Sequence, residues 1–149
     1  MRSPIVLVLA SAVALGAGVA GAAHLKETPR KHKVVYHMTE AGADKATFVL
    51  GNIQNHVAGV GGLENVEAIE LVVHGPALRS FVVATIDPGV KEALDRVQRL
   101  GVRFGACGNT MKAFNLTLGD LPRGATPLPQ GGVVRVMELQ EQGYTYIRP

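Results

Sequence analysis

The sequence predicts an α/β domain whose parallel sheet is covered by helices on both sides. Short β-branched runs alternate with amphipathic stretches of roughly 10 to 15 residues, the pattern of right-handed βαβ units. The run at residues 68–74 is nearly all apolar, as a strand must be when both of its faces are covered. At 149 residues, 47% of them hydrophobic, the chain is long enough to bury one core, and no repeat or internal boundary divides it.

Each element has its own signal. Residues 33–38 are β-branched and aromatic and form the first strand. Ala46, Val49, Leu50, Ile53 and Val57 then recur at i, i+3, i+4, i+7 and i+11, one face of a helix over about 43–58, ended by Gly59, Gly61 and Gly62. The second strand, 68–74, stops at Gly75-Pro76, and 77–83 reads as a short helix. Asp87-Pro88 is a cap followed by proline at the first helical position; Val90, Ala93, Leu94 and Val97 make the buried face and Gly101 ends the helix. A third strand leads into Cys107, after which Met111, Phe114 and Leu116 suggest a helix over 111–116. The Pro/Gly-rich connection 121–129 has room for a short strand at 125–128. A helix over Val133, Val136 and Met137 follows, Gly143 closes it, and 144–148 is the last strand.

The N-terminus reads as a targeting segment. Arg2 precedes an apolar run at 5–19, and Ala20-Gly21-Ala22-Ala23 offers a small-residue cleavage site, so residues 1–22 are expected to be a secretory signal peptide, with a retained membrane anchor as the alternative. Residues 23–32 then form a basic, flexible leader and 33–149 the folded domain. Export implies a periplasmic protein with no membrane association once the signal is removed. The formal charge of +3 is too weak to argue for a nucleic-acid partner, and its excess lies in the leader run Lys26, Arg30, Lys31 and Lys33, a solvated tail.

Ligands in parallel α/β folds bind at the carboxyl ends of the strands, and the first three strands end in His37, His74 and Cys107. Cys107 is the only cysteine, so in an oxidising compartment it has no internal disulfide partner. At a strand-to-helix turn its thiol meets unsatisfied N–H groups and the positive end of a helix dipole, which favour thiolate. Gly108, Asn109 and Thr110 supply those groups and are the candidate ligand-binding residues. Each residue also has a plainer reading: His37 and His74 as structural histidines, Cys107 as a small buried hydrophobe, Asn109 and Thr110 as helix caps, His56 as a surface histidine. Gly59-Val60-Gly61-Gly62 follows a helix, the wrong context for a dinucleotide loop, and paired carboxylates, G-x-S-x-G and C-x-x-C are absent from the sequence.

Val35-Tyr36-His37, Val73-His74-Gly75, the block from Gly101 to Thr110 and the ending from Gly143 to Pro149 resemble the DsrE/DsrF (DsrE/TusD-like) family of small sulfur-trafficking proteins, most closely its stand-alone exported branch. The resemblance covers residues 33–149. It implies a three-layer α/β/α sandwich with a five-stranded, mostly parallel sheet, homotrimers or homohexamers, no cofactor, and a persulfide on the cysteine after the third strand, the position of Cys107. The function so implied is sulfur relay between donor and acceptor proteins, with His37 or His74 as proton partner. One departure stands out: relay members follow the cysteine with an Ala-rich helix ending in Arg-Gly, where this chain has Gly108-Asn109-Thr110-Met111-Lys112. Two further functions fit the residues alone. One is a small binding module that holds zinc, copper or a small ligand through His37, His74 and Cys107; the other is a non-catalytic oligomeric interaction protein with a structural cysteine.

Overall fold

The computed structural model describes residues 31–149; the expected signal peptide and nearly all of the expected leader lie outside them. The elements run β1 (His32–Met38), α1 (Ala43–Gly59), β2 (Val66–Val73), α2 (Pro88–Arg99), β3 (Arg103–Cys107), α3 (Gly108–Ala113), β4 (Ala125–Leu128), α4 (Gly132–Glu141) and β5 (Thr145–Ile147). All strand pairs are parallel, in the order β4-β3-β2-β1-β5. This is the five-stranded α/β/α architecture expected, with the first strand starting one residue earlier than expected, at His32.

Handedness decides which helix covers which face. The steps β1 to β2 and β2 to β3 move the same way along the sheet, so right-handed crossovers put α1 and α2 on one face. The step from β4 back to β5 moves the other way and puts α4 on the opposite face. Alternation along the strands then sorts the side chains. Val34, Tyr36 and Met38 of β1, Ile69, Leu71 and Val73 of β2, and Phe104 and Ala106 of β3 pack with Ala46, Leu50, Ile53, Leu94 and Val97 of the two helices. Val35, Val72 and Leu128 face the other way and meet Val136 and Leu139 of α4. The α4 layer is the thinner one.

Local chemistry sets the ends. Asp87 caps α2, its Oδ1 accepting the N–H groups of Gly89 at 2.8 Å and Val90 at 3.2 Å, an arrangement that contributes about 1 kcal/mol. Residues 75–81 form a 3-10 helix rather than the short helix expected over 77–83.

The helix expected over 111–116 is in fact α3, which starts three residues earlier, directly behind the thiol, and stops at Ala113. Asn115 takes the left-handed conformation (φ 54°); its N–H bonds the Lys112 carbonyl and the Leu116 N–H bonds the Met111 carbonyl, which closes the helix as a Schellman motif. Phe114 and Leu116 therefore follow the helix instead of lining it.

The apolar strand β2 carries one charge inward. Glu70 is 3% exposed and faces α4, where Arg135 grips its carboxylate with two hydrogen bonds of 2.8 Å. Arg103 of β3 adds a third contact at 3.2 Å. Fixed to the sheet in this way, α4 cannot rotate or slide freely about its own axis. Removing Arg135 leaves the buried Glu70 carboxylate with only the half-exposed Arg103, which destabilises the fold because a buried charge is then poorly compensated.

Candidate functional site

His37, His74 and Cys107 all come to the carboxyl edge of the sheet on its α4 face. The alternation that buries Tyr36, Val73 and Ala106 under α1 and α2 turns their successors the other way. The pairing of Val73 with Ala106 sets His74 and Cys107 level on neighbouring strands. His74 stands just past β2 rather than within it. It lines, with Cys107, Thr110, Gln130 and Val133, a mostly apolar cleft of about 570 Å³. His37 does not line this cleft; it lies behind His74.

Cys107 is 4% exposed. Burial alone pushes its thiol pKa up, but the Thr110 hydroxyl and the N–H groups of Thr110, Gly132 and Asn109 hydrogen-bond the sulfur and bring the pKa below that of an ordinary thiol. The Thr110 oxygen accepts the Gly75 N–H at 2.8 Å, which leaves its own proton free to turn towards the sulfur. The nest thus draws on two helix starts, the short α3 and the longer α4.

Glycines make this proximity possible. A Cβ at Gly132 would lie 2.9 Å from the His74 Cβ and 3.4 Å from the Cys107 Cβ; one at Gly108 would lie 2.8 Å from the Leu128 carbonyl oxygen. Gly131 has φ 98°, and a side chain there would meet Asn109 Nδ2 at 2.8 Å. Gly108, Asn109 and Thr110 were expected at the thiol from the sequence. Asn109 and Thr110 give it N–H groups, while Gly108 provides close packing. Thr110 does not cap α3 with its side chain.

The two histidines form a hydrogen-bonded pair, His37 Nε2 to His74 Nδ1 at 2.7 Å, with rings stacked 4.8 Å apart. Tyr146 of β5 extends the chain, its hydroxyl 3.0 Å from His37 Nδ1. Burial, the facing His74 and the nearby Arg148 guanidinium push the His37 pKa down to about 4. Burial and Arg148 also lower that of His74. Both rings are therefore neutral at neutral pH. With His37 Nε2 and His74 Nδ1 engaged with each other, His37, His74 and Cys107 do not converge on one point, and no group of three His, Cys, Asp or Glu side chains among the described residues is arranged to hold a metal ion. His56, expected at the surface, is half-buried and hydrogen-bonded through Nδ1 to the Tyr36 hydroxyl at 2.9 Å.

Gly131, Gly132, Tyr146 and Arg148 are the site residues that sequence reasoning missed. The doubled glycine ahead of the last helix was the available signal, since two adjacent glycines at a helix start mark a close backbone approach. Tyr146 and Arg148 fall in the ending that carries the resemblance, but the residues alone do not mark them as part of the site, because their role depends on β5 pairing with β1.

No protein-family model and no curated protein matches this chain. Solved structures do. MTH1491 from Methanobacterium thermoautotrophicum, described as a protein of unknown function, is 27% identical over 80% of this chain and 100% of its own, with a TM-score of 0.70. BT1422 from Bacteroides thetaiotaomicron, also of unknown function, is 17% identical over 78% of this chain and 94% of its own, with a TM-score of 0.55. The ychN protein from E. coli is 12% identical over 80% and 99%, with a TM-score of 0.59. The fold shared with these proteins is the DsrE-like α/β fold.

Gly132→Ala forces α4 away from the sulfur and removes one N–H bond to the anion, so the Cys107 alkylation midpoint should rise by about one pH unit, the worth of a hydrogen bond to a charged group. Gly51→Ala, on α1 with open space around its Cα, is the control and should leave that midpoint unchanged. The folded chain protonates His37 only near about 4 while the unfolded chain does so near 6.5, so the unfolded state binds more protons between these values. Stability is therefore complete above 6.5 and declines as pH falls towards 4, with His74 and His56, also lowered, acting in the same direction. Urea midpoints should show this decline and His37→Gln should make it shallower; equal slopes in the two proteins would contradict it.

Proposed function

We propose that this protein is a DsrE-like sulfur carrier, exported to the periplasm, in which Cys107 accepts a sulfane sulfur as a persulfide and hands it to a second thiol. The observation that carries this reading is the buried sulfur of Cys107 at the wall of a cleft, directly before α3 and with the backbone of Gly131 and Gly132 packed against it, surroundings that lower its pKa. Such a nest stabilises a thiolate and, one atom further out, suits the persulfide anion. The chemistry is a simple displacement. The Cys107 thiolate attacks the outer sulfur of a donor persulfide, a new S–S bond forms, the donor's own S–S bond breaks, and the electron pair leaves with the donor thiolate, which takes up a proton. Discharge repeats the step with an acceptor thiolate attacking the outer sulfur on Cys107. No net oxidant or reductant is consumed.

The proposal includes a homo-oligomer. Val133 and Met137 of α4 are well exposed beside the cleft and offer an apolar face for another copy. Donor and acceptor proteins would then reach Cys107 through the cleft mouth. Incubation with inorganic polysulfide followed by intact-mass measurement tests the function. The wild type should gain the mass of one sulfur atom, reversibly with a reducing thiol, and Cys107→Ser should gain none. Wild-type protein that stays unmodified while its thiol still alkylates readily would contradict the carrier role.

A further inference from the structure

The donor thiolate released during sulfur uptake needs a proton, and the side chains around the cleft contain an ordered route for one. His74 alone of the two histidines lines the cleft with Cys107. Its Nδ1 is held by His37 Nε2 at 2.7 Å, and His37 Nδ1 is held by the Tyr146 hydroxyl at 3.0 Å. Tyr146 is 39% exposed, so the outer end of the chain reaches water. The remaining nitrogen, His74 Nε2, has no protein hydrogen-bond partner among the described residues. Every link is a group that both gives and takes a proton.

We infer that Tyr146, His37 and His74 form a neutral proton relay, in which His74 Nε2–H protonates the leaving thiolate in the cleft and Tyr146 refills the chain from solvent. The inference rests on the sulfur-carrier reading. In the loaded arrangement the Tyr146 hydroxyl donates to His37 Nδ1, and His37 Nε2–H donates to His74 Nδ1. His74 is then left in the tautomer that carries its proton on Nε2. When His74 gives up that proton, it takes another at Nδ1 from His37, which takes one at Nδ1 from Tyr146, and water restores the phenol. Each ring gains a proton as it loses one and stays neutral throughout; discharge runs the chain backwards, the acceptor thiol giving its proton to His74 Nε2 as it becomes the attacking thiolate, and this restores the starting tautomers. Arg148, whose guanidinium bonds Thr39 and Glu40 beside β1, discourages the imidazolium that would short-circuit the chain. The groups facing the two rings are thus Tyr146 and Arg148 from the β5 end, together with each other.

His74 touches the reacting atoms in this scheme, while His37 and Tyr146 act through it. Nitrogen-15 NMR of the two imidazoles, in the wild type and in Tyr146→Phe, reads the tautomers directly, and persulfide transfer to a small thiol acceptor reads the rate. His74 should carry its proton on Nε2 in the wild type, and Tyr146→Phe, two bonds of the chain away, should shift it towards the other tautomer. Transfer should slow about a hundredfold in His74→Gln, as when a general acid is removed, and about tenfold in Tyr146→Phe, where water replaces the hydroxyl. A His74 tautomer unaffected by Tyr146→Phe overturns the relay whatever the transfer rates. Wild-type protein that accepts no sulfur overturns the carrier reading instead, and the tautomer coupling then decides the relay by itself.

Discussion

The approach of α4 to Cys107 is the constraint on which the rest of this molecule depends. A helix start can stabilise an anion only if its N–H groups come within hydrogen-bond reach, and side chains ordinarily keep backbone that far from a neighbouring strand. Gly131 and Gly132 remove that barrier at the first turn of α4. One turn further along, Arg135 clasps the buried Glu70 and fixes how the helix sits. The ion pair and the glycines are parts of one device: the pair sets the helix register, and the glycines let its end close on the sulfur.

The site treats its two kinds of titratable group in opposite ways. The thiol is buried, which raises its pKa, yet four hydrogen bonds prevail and favour the anion. For the histidines burial itself favours the neutral ring, and Arg148 adds to it, with His74 acting on His37 in the same direction. An anionic sulfur beside neutral imidazoles suits group transfer between thiols, where charge passes from one sulfur to another and protons must be exchanged without trapping the thiolate as a fixed ion pair. An imidazolium close to the sulfur would hold the thiolate more strongly and make it a poorer nucleophile.

Much of this was legible in the sequence, for physical reasons that can be named. The strand ends were readable because β-branched runs stop at Gly75-Pro76 or at the small residues around Cys107, and a parallel sheet brings such ends to one edge. Asp87-Pro88 announced α2 because capping is local chemistry. The helix after Cys107 was misplaced because Phe114 and Leu116 mimic helical spacing, while the stop signal was a left-handed asparagine, which sequence marks only weakly. His56 was read as a surface residue because its partner Tyr36 lies on another element. Tyr146 and Arg148 escaped notice for the same reason: only the placement of β5 beside β1 brings them to His37.

The ultraviolet thiolate absorbance of the wild-type protein, followed from acid to alkaline pH, measures directly whether the nest around Cys107 stabilises the anion. A midpoint clearly below the free-cysteine value of about 8.5 is the predicted result, absent in Cys107→Ser. A midpoint at or above that value would mean that burial outweighs the hydrogen bonds and that Cys107 is a packing residue.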